Sequence, residues 1–171
     1  MIFVDSNIPM YLVGGEHPNR AAAKHLVELA IAGRERLVTD VEGLQEILHR
    51  YVAIGRRDAI DAAASTLLAI VDDVYPIELE DVERARGIVL SSRLSARDAV
   101  HLAVMQRRGI AEIMTFDRAF DGIPGVGRVG ALAGSLGDKV TRKPDDEAWT
   151  KLRDAASEAA SETVDPDRRN G

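Results

Sequence analysis

The chain has no cysteine, few aromatic residues and only four lysines. The lack of cysteine excludes a disulfide scaffold, a zinc site built from thiolates and catalysis by a thiol. Aromatic residues make up 4% of the 171 residues, so the core must consist mainly of Ala, Val, Ile and Leu. So few rings also argue against an extended surface on which the bases of a single strand would stack.

The remaining composition is typical of one globular domain. Hydrophobic residues make up 46% and charged residues 29%, and the net charge is −6. An acidic protein does not bind nucleic acid as a generic polycation would, although a local basic patch can act alone. Asp5 interrupts the first apolar run, which argues against a signal peptide, and the apolar stretch 59–71 is too short to span a bilayer. We therefore expect a cytoplasmic protein without a membrane segment.

Short apolar runs alternate with longer segments of helical periodicity. This alternation predicts an α/β domain with a short parallel sheet flanked by helices on both faces. The predicted strands are residues 2–4, 37–39, 74–79, 112–116 and 126–129. The predicted helices begin near Asn7 and then cover residues 18–32, 40–53, 57–70, 80–90 and 96–108.

Two helix starts match the capping box, in which a hydroxyl residue is followed three positions later by an acid. Thr39 and Glu42 form the first pattern, and Ser95 and Asp98 form the second.

The C-terminal part differs in composition from the rest. Residues 138–171 hold nine acids, seven bases and few large apolar residues. We expect a domain over residues 1–135, followed by a charged extension with one amphipathic helix at 146–160 and a disordered tail.

Four acids fall where a parallel sheet places its chemistry, beyond the carboxyl ends of its strands. Asp5 and Asp117 follow predicted strands, Glu46 lies in the helix after the second strand, and Asp98 lies in the first turn of a later helix. If the strands are neighbours, these carboxylates converge on one pocket. Each acid also has a structural alternative: Asp5, Asp98 and Asp117 as helix caps, and Glu46 as a surface acid.

Clustered carboxylates repel one another, so they bind either protons or a cation. Oxygen ligands without cysteine suit Mg²⁺ or Mn²⁺, which can activate water for hydrolysis of a phosphodiester. On this interpretation, Asp98→Asn stabilises the metal-free protein. If Asp98 only caps its helix, the same substitution destabilises it.

Other candidate residues are weaker. His49 and His101 each lie three residues after a candidate acid, and a packed helix histidine is the favoured interpretation over a role beside the acids. No phosphate-binding glycine loop and no serine-hydrolase motif is present.

Four segments together resemble the PIN-domain family, and its VapC-type toxins in particular. They are IFVDSN at 2–7, VTDVEGLQEILHRY at 38–51, SARDAVHLAV at 95–104 and MTFDRAFDGIPGV at 114–126. The resemblance covers about residues 1–135 and leaves the C-terminal extension unassigned.

The resemblance implies the toxin of a type II toxin–antitoxin system, a Mg²⁺- or Mn²⁺-dependent endoribonuclease. The family's catalytic and metal-binding acids fall on Asp5, Glu46, Asp98 and Asp117. It also implies that the Thr115 hydroxyl lies near the metal, and Glu42 competes with Glu46 for the second position. The number of metal ions stays open.

The implied partners are RNA, with tRNA or rRNA as the target, and a VapB-type antitoxin whose C-terminal tail blocks the site. The resemblance also implies a homodimer.

Two alternatives stay open. One is a non-catalytic PIN-like module that binds RNA or protein, although such modules usually lose acids that are present here. The other is an acid-cluster phosphatase or phospho-acceptor domain. It needs paired acids after the first strand and a later lysine, yet no lysine lies between Lys24 and Lys139.

Overall fold

A parallel five-stranded sheet forms the centre of the molecule, as a computed structural model of the chain shows for residues 1–129. The strands are β1 (Ile2–Val4), β2 (Leu37–Asp40), β3 (Asp73–Tyr75), β4 (Glu112–Met114) and β5 (Gly127–Arg128). Their spatial order is β3-β2-β1-β4-β5, so β1 lies in the middle. The predicted α/β class and parallel sheet are confirmed.

Six α-helices connect these strands within the described residues. They are α1 (Asn7–Val13), α2 (Asn19–Ala32), α3 (Val41–Ala53), α4 (Ile60–Ile70), α5 (Leu79–Ser91) and α6 (Ala96–Arg108). Short 3₁₀ turns, Arg57–Ala59 and Arg118–Phe120, precede α4 and follow β4. None of these helices is long and apolar enough to cross a membrane.

Successive side chains of β1 point to opposite faces of the sheet and pack in two separate apolar clusters, as expected for a strand buried on both faces. Ile2 and Val4 pack in a cluster with residues of α1 to α4, including Ile8, Val27 and Ile47. Phe3 points to the other face, where its cluster includes residues of α6 and of the sheet. The sheet therefore lies between helical layers, with the carboxyl ends of its central strands at one edge.

The predicted cap of α3 is wrong by one residue. Thr39 still belongs to β2, and its hydroxyl donates to the Val4 carbonyl at 2.9 Å. Asp40 is the cap instead, and its Oδ1 accepts from the Gly43 N–H at 3.1 Å. Glu42 therefore does not complete a capping box with Thr39.

The Ser95–Asp98 capping box is confirmed. The Ser95 hydroxyl accepts from the Asp98 N–H at 3.2 Å, and the Asp98 carboxylate accepts from the Ser95 N–H at 3.3 Å. A second box joins Glu78 and Asp81 at the start of α5 and does not match the sequence pattern, because Glu78 is not a hydroxyl residue.

Several strand ends differ from the prediction. The third strand ends at Tyr75 and not at residue 79, because Pro76 follows and α5 begins at Leu79. The fourth strand ends at Met114, and the last consists of Gly127–Arg128. The predicted helix at 146–160, the disordered tail and the boundary near residue 135 lie outside the described residues.

Candidate metal and catalytic site

Asp5 and Thr115 meet at the carboxyl edge of the sheet because their strands pair in register. Val4 of β1 lies beside Met114 of β4, so the next residue of each strand emerges at the same place. The Thr115 hydroxyl donates to Asp5 Oδ2, and Asn7 Nδ2 donates to the same oxygen at 2.6 Å. Oδ2 of Asp5 is therefore held by two donors.

The Asp5 carboxyl group is almost fully buried, at 6% exposure. Burial raises the pKa of Asp5, and the neighbouring Glu46 carboxylate raises it further, while His101 and the Thr115 hydroxyl oppose the increase. A nearby cation would therefore stabilise the ionised form of Asp5.

Glu46 faces Asp5 from α3, one turn beyond the start of the helix. The Ser6 hydroxyl donates to Glu46 Oε2 at 2.6 Å and also lies 3.3 Å from Asp5 Oδ1, so it links the two acids. Burial alone would raise the pKa of Glu46, but the hydrogen bond and charge of His101, with help from Ser6 and Arg97, lower it below its usual value. Glu46 is thus held as a carboxylate.

His101 connects Glu46 to a buried acid, Asp40. Its Nδ1 lies 2.9 and 3.0 Å from the two Asp40 oxygens, and its Nε2 lies 3.4 Å from Glu46 Oε2. Burial disfavours the charged imidazole, yet the Asp40 charge and the hydrogen bonds to both acids hold the pKa of His101 well above its ordinary value.

These side chains fit a divalent cation. Ligand atoms of Asp5, Glu46 and His101 all lie within 4.8 Å of one another. Two carboxylates of this kind, one of them buried, offer the oxygen ligands that Mg²⁺ and Mn²⁺ accept. His101 lies in the same group through its Nε2, which contacts Glu46 and holds that carboxylate in place.

The other predicted acids lie outside this group of three in the described part of the chain. Asp98 is partly exposed and engaged in its capping box. Asp117 is exposed, and its carboxylate accepts from the Ala119 N–H at 2.8 Å, while its own N–H donates to Thr115 Oγ1 at 2.9 Å. Their structural role as caps is therefore visible, and their role toward a metal stays a prediction.

Glu42, the rival of Glu46, also lies outside the group. Its Oε1 lies 3.6 Å from Arg97 Nε, while Arg97 Nη1 lies 3.9 Å from Glu46 Oε1. The geometry favours Glu46, because it contacts Ser6 and His101 directly.

Sequence reasoning missed four residues of this arrangement. The sequence pattern indicates Ser6 and Asn7 only as a helix start, predicts Thr39 and not Asp40 as the cap, and favours a packed helix histidine at position 101. His101 is indeed buried, at 1% exposure, but it also bridges two acids, whereas His49 is exposed. The signal for Ser6 and Asn7 was their place directly after Asp5 at a strand end.

The sequence is similar to known proteins over most of the described part of the chain. The PIN domain family matches residues 2–126. Ribonuclease VapC13 of Mycobacterium tuberculosis is 57% identical over 130 residues, which cover 75% of this chain and 99% of that protein.

Two solved structures are similar in fold. A crystal structure of Mycobacterium tuberculosis VapC20, described as a sarcin–ricin loop cleaving toxin, aligns with a TM-score of 0.58 at 25% identity, over 68% of this chain and 90% of the other. A toxin–antitoxin complex from Klebsiella pneumoniae aligns with a TM-score of 0.55 at 22% identity, over 75% and 98%. Together with the sequence match, they confirm the predicted resemblance: the chain belongs to the PIN-domain family, among its VapC-type ribonucleases.

Proposed function

We propose that this chain is the toxin of a type II toxin–antitoxin pair and cleaves RNA phosphodiester bonds with Mg²⁺ or Mn²⁺. The observation that carries the proposal is the pairing of Asp5 and Glu46 at the carboxyl edge of the sheet. Their carboxylate oxygens lie within 4.8 Å of each other, close enough to bind one cation. The similar proteins that are named as ribonucleases favour this function over a non-catalytic module or a phospho-acceptor domain.

In this proposal Asp5 and Glu46 are the central metal ligands, and Asp98 and Asp117 complete the acidic site from its rim. When bound, the cation supplies positive charge to the phosphate and lowers the pKa of a water molecule. Thr115 and Asn7 keep Asp5 in one orientation, and Ser6 and His101 do the same for Glu46.

The proposed substrate is a structured tRNA or rRNA, and the proposed partner is a VapB-type antitoxin whose tail covers the acids. We also propose a homodimer, as the resemblance to VapC-type toxins implies. The similarity to a toxin–antitoxin complex concerns the fold and is compatible with such a partner.

Metal-dependent cleavage tests the function directly. Purified protein should cut structured RNA in Mg²⁺ or Mn²⁺ and stop when EDTA is added, with activity restored by excess metal. Equal cleavage with and without the chelator would contradict the proposed chemistry. No cleavage of total tRNA or rRNA in either metal would contradict the proposed function.

A further inference from the structure

A cavity of about 490 Å³ begins at Asn7, two residues after Asp5. Asn7 links the cavity to the candidate site, because it lines the cavity and its side chain donates to Asp5 and Thr115. The cavity extends from there along α1 to Tyr11, the loop at Gly14 and Gly15, and the end of α3. A ligand in the cavity would therefore lie beside the residue that holds Asp5.

One wall of this cavity is aromatic. The Tyr11 and His17 rings are stacked, with centroids 4.4 Å apart and planes at 23°, and the Phe116 ring meets Tyr11 edge-on at 5.4 Å. The low aromatic content argues against an extended stacking surface, but three rings meet at this one place. Tyr11 and His17 line the cavity and are partly or fully exposed, so their rings are available to a base.

The lining of the cavity also carries positive charge. Arg50 and Arg56 both line the cavity, but the Arg56 guanidinium is bound by Asp58, with hydrogen bonds of 2.8 to 3.2 Å. Arg50 is exposed and forms no ion pair within residues 1–129, so its guanidinium is available to an anion. Glu16 is the acidic residue of the lining.

The spacing along α1 suits one nucleotide. Asn7 and Tyr11 are four residues apart, so they lie on the same face of the helix, separated by a rise of about 6 Å. A cavity of this size falls in the range that holds small organic ligands.

We propose that this cavity binds the unpaired nucleotide next to the cleaved phosphodiester. The base stacks on the Tyr11–His17 pair, and Arg50 binds the neighbouring phosphate. This inference rests on the proposed ribonuclease function and adds to it a preference for RNA whose cleaved position is flanked by an unpaired base, since a paired base is not free to enter the cavity.

The test is RNA binding in EDTA, which is measured separately from cleavage. The probe is a short single-stranded RNA that carries 5-iodouridine and a fluorophore. Photocrosslinks should map to Tyr11 or His17, the two rings that line the cavity. Tyr11→Ala should raise the Kd about tenfold, because stacking on one aromatic ring contributes about 1–3 kcal/mol per base, whereas Tyr11→Phe should bind like the wild type.

Arg50→Gln has a matched control in Arg86→Gln, which removes the same charge from an exposed position of α5. Arg50→Gln should weaken binding and reduce its salt dependence, and Arg86→Gln should leave the Kd unchanged. Thermal melts of all variants check that they are folded.

Equal Kd values for wild type and Tyr11→Ala, or no binding of the probe to the wild type, would overturn the subsite. If the cavity binds a peptide partner and not RNA, wild type and Tyr11→Ala should have equal Kd values for the probe. Cleavage of structured RNA in Mg²⁺ is measured on the same preparations. Cleavage with an unchanged Kd in Tyr11→Ala refutes the subsite alone, whereas absent cleavage refutes the proposed function.

Discussion

The imidazole of His101 and the carboxylate of Asp40 form a buried pair that joins α6 to the start of α3. His101 Nδ1 lies 2.9 and 3.0 Å from the two Asp40 oxygens, and the side chains are 1% and 0% exposed. Asp40 also accepts from the Gly43 N–H, so the same carboxylate caps α3 and holds His101. Through Nε2, His101 also reaches Glu46, six residues after Asp40 in the chain. The pair thus fixes the helix that carries a candidate metal ligand.

Removal of His101 should leave Asp40 as a buried charge without its partner. We expect His101→Leu to lower the free energy of unfolding by about 3 kcal/mol, in the range for breaking a buried ion pair. Adding Asp40→Asn should recover part of this loss, because the amide keeps a capping oxygen but carries no charge. Urea unfolding of both single variants and the double variant measures the coupling. A double variant no more stable than His101→Leu would contradict the pair.

Glu46 and Glu42 form a matched pair of acids on one helix. Glu46→Gln should reduce cleavage by more than the roughly 10–100-fold typical of residues that only support metal ligands. Glu42→Gln should retain most activity, because Glu42 lies outside the group of ligand atoms. Initial rates in Mg²⁺, with circular dichroism to confirm folding, separate the two. A larger loss of cleavage in Glu42→Gln than in Glu46→Gln would show that Glu42 is the metal ligand.

Contacts between residues close in sequence could be predicted, whereas contacts between distant residues could not. The Ser95–Asp98 box is local and was predicted, because both bonds join residues three positions apart. The β1 strand was predicted from its apolar run, and Asp5 from its place at the strand end.

Errors arose where a distant residue decided the local conformation. Thr39 has the right chemistry for a cap, but its hydroxyl is bonded to Val4, 35 residues away, so the strand continues and Asp40 caps the helix. His101 meets Asp40 across 61 residues of sequence. No local pattern shows either contact.

Asp98→Asn tests whether loss of this charge raises or lowers the stability of the metal-free protein. The sequence interpretation expects Asp98→Asn to stabilise the metal-free protein by removing repulsion, but the structure engages this carboxylate in a helix cap. We therefore expect the variant to lose about 0.3–1 kcal/mol in EDTA, because Asn keeps an acceptor but loses the charge at the helix N-terminus. Thermal melts in EDTA and in Mg²⁺ measure this. A higher Tm for the variant in EDTA would restore the repulsion hypothesis, and a smaller Mg²⁺-induced shift would support Asp98 as a ligand.

Asp81 should give the protein part of its acid sensitivity. Its buried carboxylate accepts from Arg107 Nε and Nη2, each at 2.7 Å, and this hydrogen bonding lowers the pKa of Asp81 despite burial. Because the folded pKa lies below the unfolded value of about 3.9, the stabilisation is complete above that pH and is lost as pH falls through the folded pKa. Wild type should therefore lose stability more steeply below about pH 4 than Asp81→Asn does. The free energy of unfolding is measured by urea titration at several pH values. An equally steep fall below about pH 4 in the wild type and in Asp81→Asn would contradict this prediction.

Gly43 and Gly87 both lie in helices, and replacement by alanine should have opposite effects. In α5, a Cβ at Gly87 meets nothing within 4 Å, so Gly87→Ala should stabilise the protein by up to about 1 kcal/mol through helix propensity. At Gly43 the added Cβ would lie 2.9 Å from Thr39 Oγ1. Thr39 is fully buried and bonded to Val4, so it cannot move without breaking that bond. Overpacking of this kind costs about 1–3 kcal/mol, which exceeds the gain in propensity. Gly43→Ala should therefore lower the midpoint of urea unfolding and Gly87→Ala should raise it. A rise in both variants would show that the hydroxyl of Thr39 gives way without cost.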